Sequence, residues 1–522
     1  MIRLIPLGGL GEIGMNAFAI EYQDDVIVID CGIYFTGLDH LGVNFAAPNL
    51  HALRDKRIVA FIMTHGHEDH IGAIPFVIKG GYKAPVYASP FTSALLAAKA
   101  LDQGCEIDLR TFEVGATLDL HPFTIETISV NHSIIDAVAL VITTPRGVII
   151  HTGDFRIDEK PFYGQQMTLK SFQKEKNVLA LLSDSTNAEK TCANHSESSL
   201  IPTFEELIQS APQLTIVSLF ASNIGRLGQL FAVAKKLEKR IFLLGRSMQQ
   251  NVELAAEKGY IDMSILTQDI GAHPRKKILV LATGSQGEVR SGLSRIASNQ
   301  HPLLKLEPQD RVILSSKSIP GNERAINTMV NQLFMQQADV FYDGAHHTHV
   351  SGHASRPELE ALMCAVRPQT LIPIHGEMRH LIQHADLATK NNIPHLIMQS
   401  GDIWEYGTSW TKVSSTRDTR VHLSESIAIM EGLIRERRHL AQKGAIFVAA
   451  YQDDDSGKIL DWSLESIGIS VNIRAVADEA LHLYAKKGLF GKDLAEKVRL
   501  ELRRHMQRIT GEKPITVVQV MG

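Results

Sequence analysis

Tryptophan and cysteine are scarce in this 522-residue chain, with 3 and 4 residues respectively. Cys31, Cys105, Cys192 and Cys364 are scattered and form no C-x-x-C pair. Such usage points away from a disulfide framework and toward reduced thiols in a cytoplasmic protein. Long apolar runs are missing too. No stretch of about 18 consecutive apolar residues occurs, so no membrane-spanning helix and no membrane partner is expected. The start of the chain lacks a cluster of positive charge ahead of an apolar core. Pro6, Gly8 and Gly9 break the early apolar run, so no signal peptide is expected. No G-x-x-x-x-G-K-[ST] is present, which excludes a P-loop. An excess of positive charge is also lacking: the net charge is −4 and the pI about 6.6. Taken alone, that argues against a nucleic-acid partner, because neutralising phosphates requires Lys and Arg.

What the chain does have is histidine, 23 residues of it, which makes metal chemistry worth seeking. Its hydrophobic fraction of 44% and charged fraction of 21% are ordinary for a folded protein. The length allows two to four domains at ~100–200 residues each. Residues 1–35 read as strands, with a hairpin of Asn16–Glu21 and Asp25–Asp30. Further strands are expected at 57–64, 125–130, 138–143 and 148–151, with helices at 91–101 and 203–210. From residue 215, short apolar strands alternate with helices, the rhythm of a parallel sheet. Residues 215–330 hold 16 Lys plus Arg against 9 Asp plus Glu, a net +7, so the remainder carries −11. The near-neutral total therefore hides a basic block. Residues 411–425 are rich in Ser and Thr and read as a linker. Beyond them are expected strands at 445–451 and 463–470, one long helical stretch at 474–507 and a last strand at 515–520.

Gly9-Leu-Gly11-Glu-Ile-Gly14 matches G-x-G-x-x-G after a strand. A nucleotide site would need a helix to begin there. The following residues read as a strand, so a strand-to-strand glycine turn is expected instead.

The strongest signal is Thr64-His65-Gly66-His67-Glu68-Asp69-His70, directly after an apolar strand. A structural zinc site prefers Cys and closes with four ligands. His and Asp suit Zn²⁺ or Mn²⁺ in a site that keeps an open position. Gly66 permits the curvature that turns His65 and His67 toward one ion, while Asp69 and His70 project toward a second. Polar groups recur at other strand ends: Asp30, His132, Asp154 and His375. Two ions with three protein ligands each are satisfied by His65, His67, Asp69, His70, His132, Asp154 and His375 if one carboxylate is shared.

These residues carry a resemblance to a known family. H-x-H-x-D-H after a strand, with His132, Asp154 and His375, resembles the metallo-β-lactamase superfamily. LGGLGEIGMN (7–16), HTGDFRID (151–158), LSDSTNAE (182–189), FASNIGR (220–226), ATGSQGE (282–288), IPGNE (319–323), HVSGHAS (349–355) and IPIHGE (372–377) narrow it. Together they resemble the β-CASP ribonucleases, and among them the bacterial ribonuclease J family, over nearly the whole chain. The implied fold is α/β: a metallo-β-lactamase αββα sandwich with an inserted β-CASP α/β domain and a small C-terminal α/β domain. The implied domains are 1–195 and 346–425 for the split metallo-β-lactamase part with its linker, 196–345 for the insert, and 440–522.

The resemblance also implies roles. His65, His67 and His132 would hold one divalent ion, and Asp69, His70 and His375 a second, with Asp154 bridging; Zn²⁺ is the first choice and Mn²⁺ the other. Asp69 counts among the catalytic groups as well as the ligands. Asp30 would orient a ligand imidazole. Asp184 would support the site without ligating. His353 would stabilise developing charge or protonate the leaving oxygen; His346, His347 and His349 rival it on spacing, and only the SGHAS context selects it. Ser222, Asn223, His349, Val350, Ser351, Gly352 and His353 would contact substrate. The expected activity is hydrolysis of RNA phosphodiesters, 5′→3′ from 5′-monophosphate ends of single strands with some endonucleolytic cutting, in RNA maturation and mRNA decay. The resemblance also implies a homodimer or dimer of dimers, and a place in an RNA-degradation complex. A DNA-directed β-CASP nuclease shares every ligand. A lactonase-like hydrolase would explain the metals but not the insert or SGHAS.

Overall fold

The computed structural model describes residues 1–174, 177–319, 321–424 and 427–522. Pro320 of the IPGNE motif and residue 425 of the expected linker lie outside the described residues. The chain forms two compact units, residues 1–34 with 47–420 and residues 35–46 with 421–522.

Two sheets face each other in the larger unit. The first has eight strands, in the order Trp410–Ser415, Asp402–Tyr406, Ile2–Gly8, Ala17–Tyr22, Asp25–Ile29, Arg57–Ile62, Val86–Ala88 and Leu109–Thr111. The second has six: Thr117–Leu120, Phe123–Ser129, Val138–Thr144, Gly147–His151, Val178–Asp184 and Leu371–Ile374. Both sheets contribute to one core, in which Ile20, Ile29 and Ile62 meet Ile125, Leu140, Ile149 and Leu182. These strands are apolar on both faces, as strands buried on both faces must be. The outer face of the second sheet, including Val141, Ile150 and Leu181, packs under Leu359, Leu362 and Leu387 of helices Arg356–Val366 and Met378–Lys390. Helix Pro90–Asp102 lies on the first sheet. The result is the layered αββα sandwich.

Pairing explains where chemistry gathers. Strands Asp25–Ile29 and Arg57–Ile62 are parallel. Phe123–Ser129 and Gly147–His151 are each antiparallel to the strand between them, and so run the same way. Val178–Asp184 and Leu371–Ile374 continue in parallel, with Asp184 level with Ile374. The C-terminal ends of these strands therefore deliver Asp30, His65, His132, Asp154, Asp184 and His375 to one rim.

The glycine-rich N-terminal segment is a turn between strands, with Gly9 and Gly11 both at φ +82° and the strand Ala17–Tyr22 following. Between the halves of the sandwich, strands Arg240–Leu244, Ile278–Ala282, Thr215–Ser218, Arg311–Leu314 and Asp339–Phe341 form a five-stranded sheet, parallel throughout. Helices such as Ile224–Lys236 and Arg246–Glu257 pack Leu227, Leu230 and Val252 against it.

The stretch read as a linker contains strands instead: Trp410–Ser415 closes an edge of the first sheet, and Arg420–Ser424 follows. Its Ser and Thr residues suit an exposed edge strand as well as a loop, which is why composition did not separate the two. In the smaller unit, residues 421–424 share a four-stranded sheet with residues 427–429, 43–46 and 35–38. A three-stranded sheet of Ile459–Ile467, Ala445–Gln452 and Ile515–Met521 carries helices Arg474–Lys486 and Gly491–Thr510. The single helical stretch expected there is split, because Gly488 turns left-handed at φ +81° and ends the first helix.

Candidate metal centre

The H-x-H-x-D-H segment leaves strand Arg57–Ile62 as a tight loop and enters one helical turn, Glu68–Ile71. His65 and His67 are thus in the loop, and Asp69 and His70 on the turn. That turn is pressed against residue 32: a Cβ on Gly32 would sit 1.6 Å from the Asp69 carbonyl oxygen, so only glycine fits. Asp154 is aimed by the turn after strand Gly147–His151. There the Gly153 N–H donates to His151 Nδ1 at 3.1 Å, and Gly153 is left-handed at φ +56°. Asp30 and His375 also have positive φ, +58° and +52°. Non-glycine residues hold that conformation only where surrounding structure imposes it.

Two donor triads result. His65 Nε2 and His132 Nε2 each lie 3.1 Å from His67 Nδ1. Asp69 Oδ2 lies 3.6 Å from His70 Nε2 and 3.4 Å from His375 Nε2. Between them stands one carboxylate oxygen. Asp154 Oδ2 is 3.8 Å from His65 Nε2 and 3.6 Å from His132 Nε2, and 3.3 Å from His70 Nε2 and 3.5 Å from His375 Nε2. Donor atoms converging within 4.8 Å, all imidazole or carboxylate, fit a divalent metal site. All seven residues expected as ligands are brought together.

The far nitrogens of four imidazoles are held. His70 Nδ1–H donates to Asp30 Oδ2 at 2.8 Å, and the same carboxylate accepts from the Thr64 amide and hydroxyl at 2.7 and 2.8 Å. Thr64 Oγ1 in turn lies 3.0 Å from His65 Nδ1. His132 Nδ1–H donates to the Gly352 carbonyl at 2.7 Å. His375 Nδ1 meets Thr186 Oγ1 at 2.6 Å, and Thr186 donates to Asp184 Oδ1 at 2.8 Å. Such partners fix the tautomer and leave Nε2 free for a metal. His353 completes this network through Asp184 Oδ2, 2.9 Å from its Nδ1.

Electrostatics divide the two triads. Burial holds His65 and His132 well below the ordinary imidazole value and pushes His67 down to about 4. For His70 and His375 burial acts the same way but is outweighed. Asp154, Asp69 and Asp30 raise His70 well above its usual value, and Asp154, Asp69 and Asp184 bring His375 up to about 9. Burial likewise opposes the charge of Asp69 and Asp154, yet His70 and His375 keep both below the carboxylate range.

Beside the metals, the loop of residues 349–353 turns its carbonyls onto three donors. Val350 O accepts from Arg226 Nη2 at 3.1 Å, Ser351 O from Arg156 Nη1 at 2.9 Å, and Gly352 O from His132. Among the described residues, the N–H groups of Val350, Ser351 and Gly352 have no hydrogen-bond partner. A Cβ on Gly352 would lie 3.0 Å from the His132 ring, so this approach also needs glycine. Asn223 caps helix Ile224–Lys236, whose first turn carries Arg226, so the FASN turn with Ser222 is tied to the same loop. A cavity of about 420 Å³ runs from His132 and Ser133 past Asn223 and Gly225 to Tyr163 and Tyr260, within the size range of small-ligand sites.

Several supporting residues escaped the sequence reading: Asn16, whose Nδ2 donates to Asp69 Oδ2 at 3.2 Å; Thr64 and Thr186; and Asn187, which donates to Ser351 Oγ at 2.8 Å. All lie inside the recognised motifs, which was the available signal. The basic block also differs from a uniform positive wall. Lys235, Lys236, Lys277 and Arg311 are paired with Asp262, Glu205, Glu238 and Asp339. The cations near the site are Arg156, Lys190, Arg226 and Lys317, which gather around His349.

Comparison with known proteins agrees with this arrangement. Three family profiles match: "Beta-lactamase superfamily domain" at residues 26–169, "Ribonuclease J, beta-CASP domain" at 213–333, and "Zn-dependent metallo-hydrolase RNA specificity domain" at 344–398. A crystal structure of a protein of unknown function from Enterococcus faecalis V583 shares the fold, with a TM-score of 0.57 at 15% identity over 77% of this chain and 99% of that one. Fold and site together define a β-CASP hydrolase of the metallo-β-lactamase class. Ribonuclease J of Sinorhizobium meliloti is 34% identical, covering 98% of this chain and 96% of that protein. Ribonuclease J of Thermus thermophilus is 31% identical, covering 100% and 95%. That of Helicobacter pylori is 35% identical, covering 90% and 70%. The chain belongs to the ribonuclease J family, and is a hydrolytic ribonuclease with RNA as its substrate. This membership removes the lactonase alternative.

Proposed function

We propose that this ribonuclease degrades single-stranded RNA from 5′-monophosphate ends in the 5′→3′ direction, with some endonucleolytic cutting, and acts in RNA maturation and mRNA decay in the cytoplasm. The observation that carries the two-ion reading is the position of Asp154 Oδ2, 3.3–3.8 Å from histidines of both triads. His65, His67 and His132 would hold one ion, and Asp69, His70 and His375 the other, with Asp154 shared; Zn²⁺ is the first candidate and Mn²⁺ the second. When bound, such a pair supplies Lewis acidity to the scissile phosphate and brings deprotonation of a water into the neutral range.

The chain's own residues do the rest. Asp30 and Thr186 keep the imidazoles of His70 and His375 aimed inward. His353 donates from Nδ1 to Asp184, so its Nε2 is free to face the reacting phosphate and to carry the proton needed by the leaving oxygen. Burial disfavours its charged form, but Asp184 outweighs that and raises the His353 pKa, which keeps the proton available. The unpaired amides of Val350, Ser351 and Gly352, with His349, Ser222 and Asn223, would receive the anionic 5′ end.

Incubation with matched 5′-monophosphate RNA, 5′-triphosphate RNA and single-stranded DNA tests the reading. Preference for the monophosphate RNA is expected; equal turnover of DNA would favour the DNA-directed alternative. A homodimer or dimer of dimers, and assembly into an RNA-degradation complex, belong to the same reading. Sedimentation equilibrium of the full chain should return a multiple of the 57.7 kDa monomer mass.

A further inference from the structure

Arg226 is a buried arginine, 1% exposed, in the first turn of helix Ile224–Lys236. All five of its N–H groups are used. Nε and Nη2 donate to the two oxygens of Glu197 at 2.8 and 3.1 Å. Nη2 also donates to Val350 O at 3.1 Å, and Nη1 donates to Ser315 O at 2.8 Å. The fifth proton, on Nη1, points at His349 Nδ1, 2.9 Å away. A guanidinium has donors only, so Nδ1 of His349 must be the acceptor and cannot carry a proton. The neutral ring then bears its proton on Nε2, and a second proton on Nδ1 would face another donor. Among the described residues Nε2 has no partner, so it is available to a ligand.

The anchor is rigid. Ser315 Oγ donates to Thr348 O at 2.7 Å, and Thr348 Oγ1 to Leu314 O at 2.9 Å, so the chain entering His349 is fastened to the end of strand Arg311–Leu314. The cations acting on His349 come from four segments: Arg226, Lys317, Lys190 and Arg156. The carboxylate among them is Glu197, paired with Arg226 and 3.8 Å from Arg156 Nη1. Burial and this cationic ring both disfavour the imidazolium, and the pKa of His349 is well below the ordinary value.

We propose that Arg226 is a positioning residue that locks His349 as a neutral, permanent Nε2–H donor to the terminal 5′-phosphate of the RNA. Without the lock, Nδ1 could carry the ring proton instead, leaving Nε2 as an acceptor that faces the phosphate oxygens and cannot donate to them. The inference rests on the reading of His349 as a substrate contact.

The experiment compares kcat/KM for 5′-monophosphate and 5′-hydroxyl RNA of one sequence, from pH 5.5 to 8. His349→Gln places an amide nitrogen near the Nε2 position and should keep the preference. His349→Asn places it near Nδ1 and should lose it by about tenfold or more through KM, the loss expected for a hydrogen bond to a charged group. Arg226→Met combined with Glu197→Gln removes the guanidinium and its partner carboxylate together. It should lower the monophosphate preference through KM by about twofold or more, and its nitrogen-15 histidine spectra should show the His349 proton shared between Nδ1 and Nε2. Nitrogen-15 histidine spectra of the wild-type protein should show a bare Nδ1 and a protonated Nε2 at both ends of the range. Equal behaviour of His349→Asn and His349→Gln, an unchanged His349 tautomer in the folded double variant, or a protonated Nδ1 in the wild type overturns the proposal. Absence of any wild-type preference for the monophosphate end overturns the substrate reading instead, while the spectra still decide the tautomer.

Discussion

His353 and Asp184 are joined by a 2.9 Å hydrogen bond from Nδ1 to Oδ2, although 169 residues separate them in the chain. The other oxygen of the same carboxylate holds Thr186, and through it the ring of His375. One acid thus supports both an imidazole of the candidate metal centre and the imidazole proposed to act on the leaving oxygen.

Replacing Asp184 with Asn should therefore lower kcat by about 100-fold, the low end of what a positioned proton donor contributes. Asp184 raises the pKa of His353 against the effect of burial, so its loss lets that pKa fall. The protonated fraction then disappears at lower pH, and the alkaline limb of the kcat profile should move down. A variant with reduced kcat but an unmoved limb would count against His353 as the acid.

Metal binding should be proton-linked at one triad and not at the other. His65, His67 and His132 are held neutral by burial, whereas His70 is raised well above its usual value and His375 to about 9. An ion at the second triad must displace those protons, and its affinity should fall up to ~tenfold per pH unit for each one displaced. Zn²⁺ titrations against a competing chelator at pH 8, 7 and 6 should resolve a steep and a shallow dependence. Equal slopes for both ions would contradict the assignment.

Asp30→Ala removes the acceptor of His70 Nδ1 and of Thr64. Loss of such a supporting acid costs ~10–100-fold in metal affinity or activity. The deficit should appear in chelator competition and be partly recovered by excess metal.

Gly32→Ala should displace the Glu68–Ile71 turn, since its Cβ would stand 1.6 Å from Asp69 O. Forcing a methyl into a packed site costs ~1–3 kcal/mol, and here it also moves Asp69, a proposed ligand. Thermal unfolding and metal content should both fall. Gly407→Ala, with open space around it, should change neither.

Much of the centre was legible because H-x-H-x-D-H is contiguous: a strand, a tight loop and one helical turn present four candidate ligands within six residues. The alternation of short apolar strands and helices after residue 215 likewise announced a parallel sheet. Ser and Thr at 410–415 were harder to read, because an exposed edge strand and a linker share that composition. The pairing of Val43–Pro48 with Arg420–Ser424 left no local signal at all.

By itself, the sequence determined the candidate ligand types, the strands that carry them and the family they mark, because those depend on neighbours along the chain. How closely the donors of the second triad meet was decided only by folding, since His375 reaches Asp69 across 306 residues. So was the tautomer of His349, which depends on a guanidinium 123 residues away that can donate and never accept. Residue type records what a side chain is able to do; the direction of a hydrogen bond is settled only when its partner is in place.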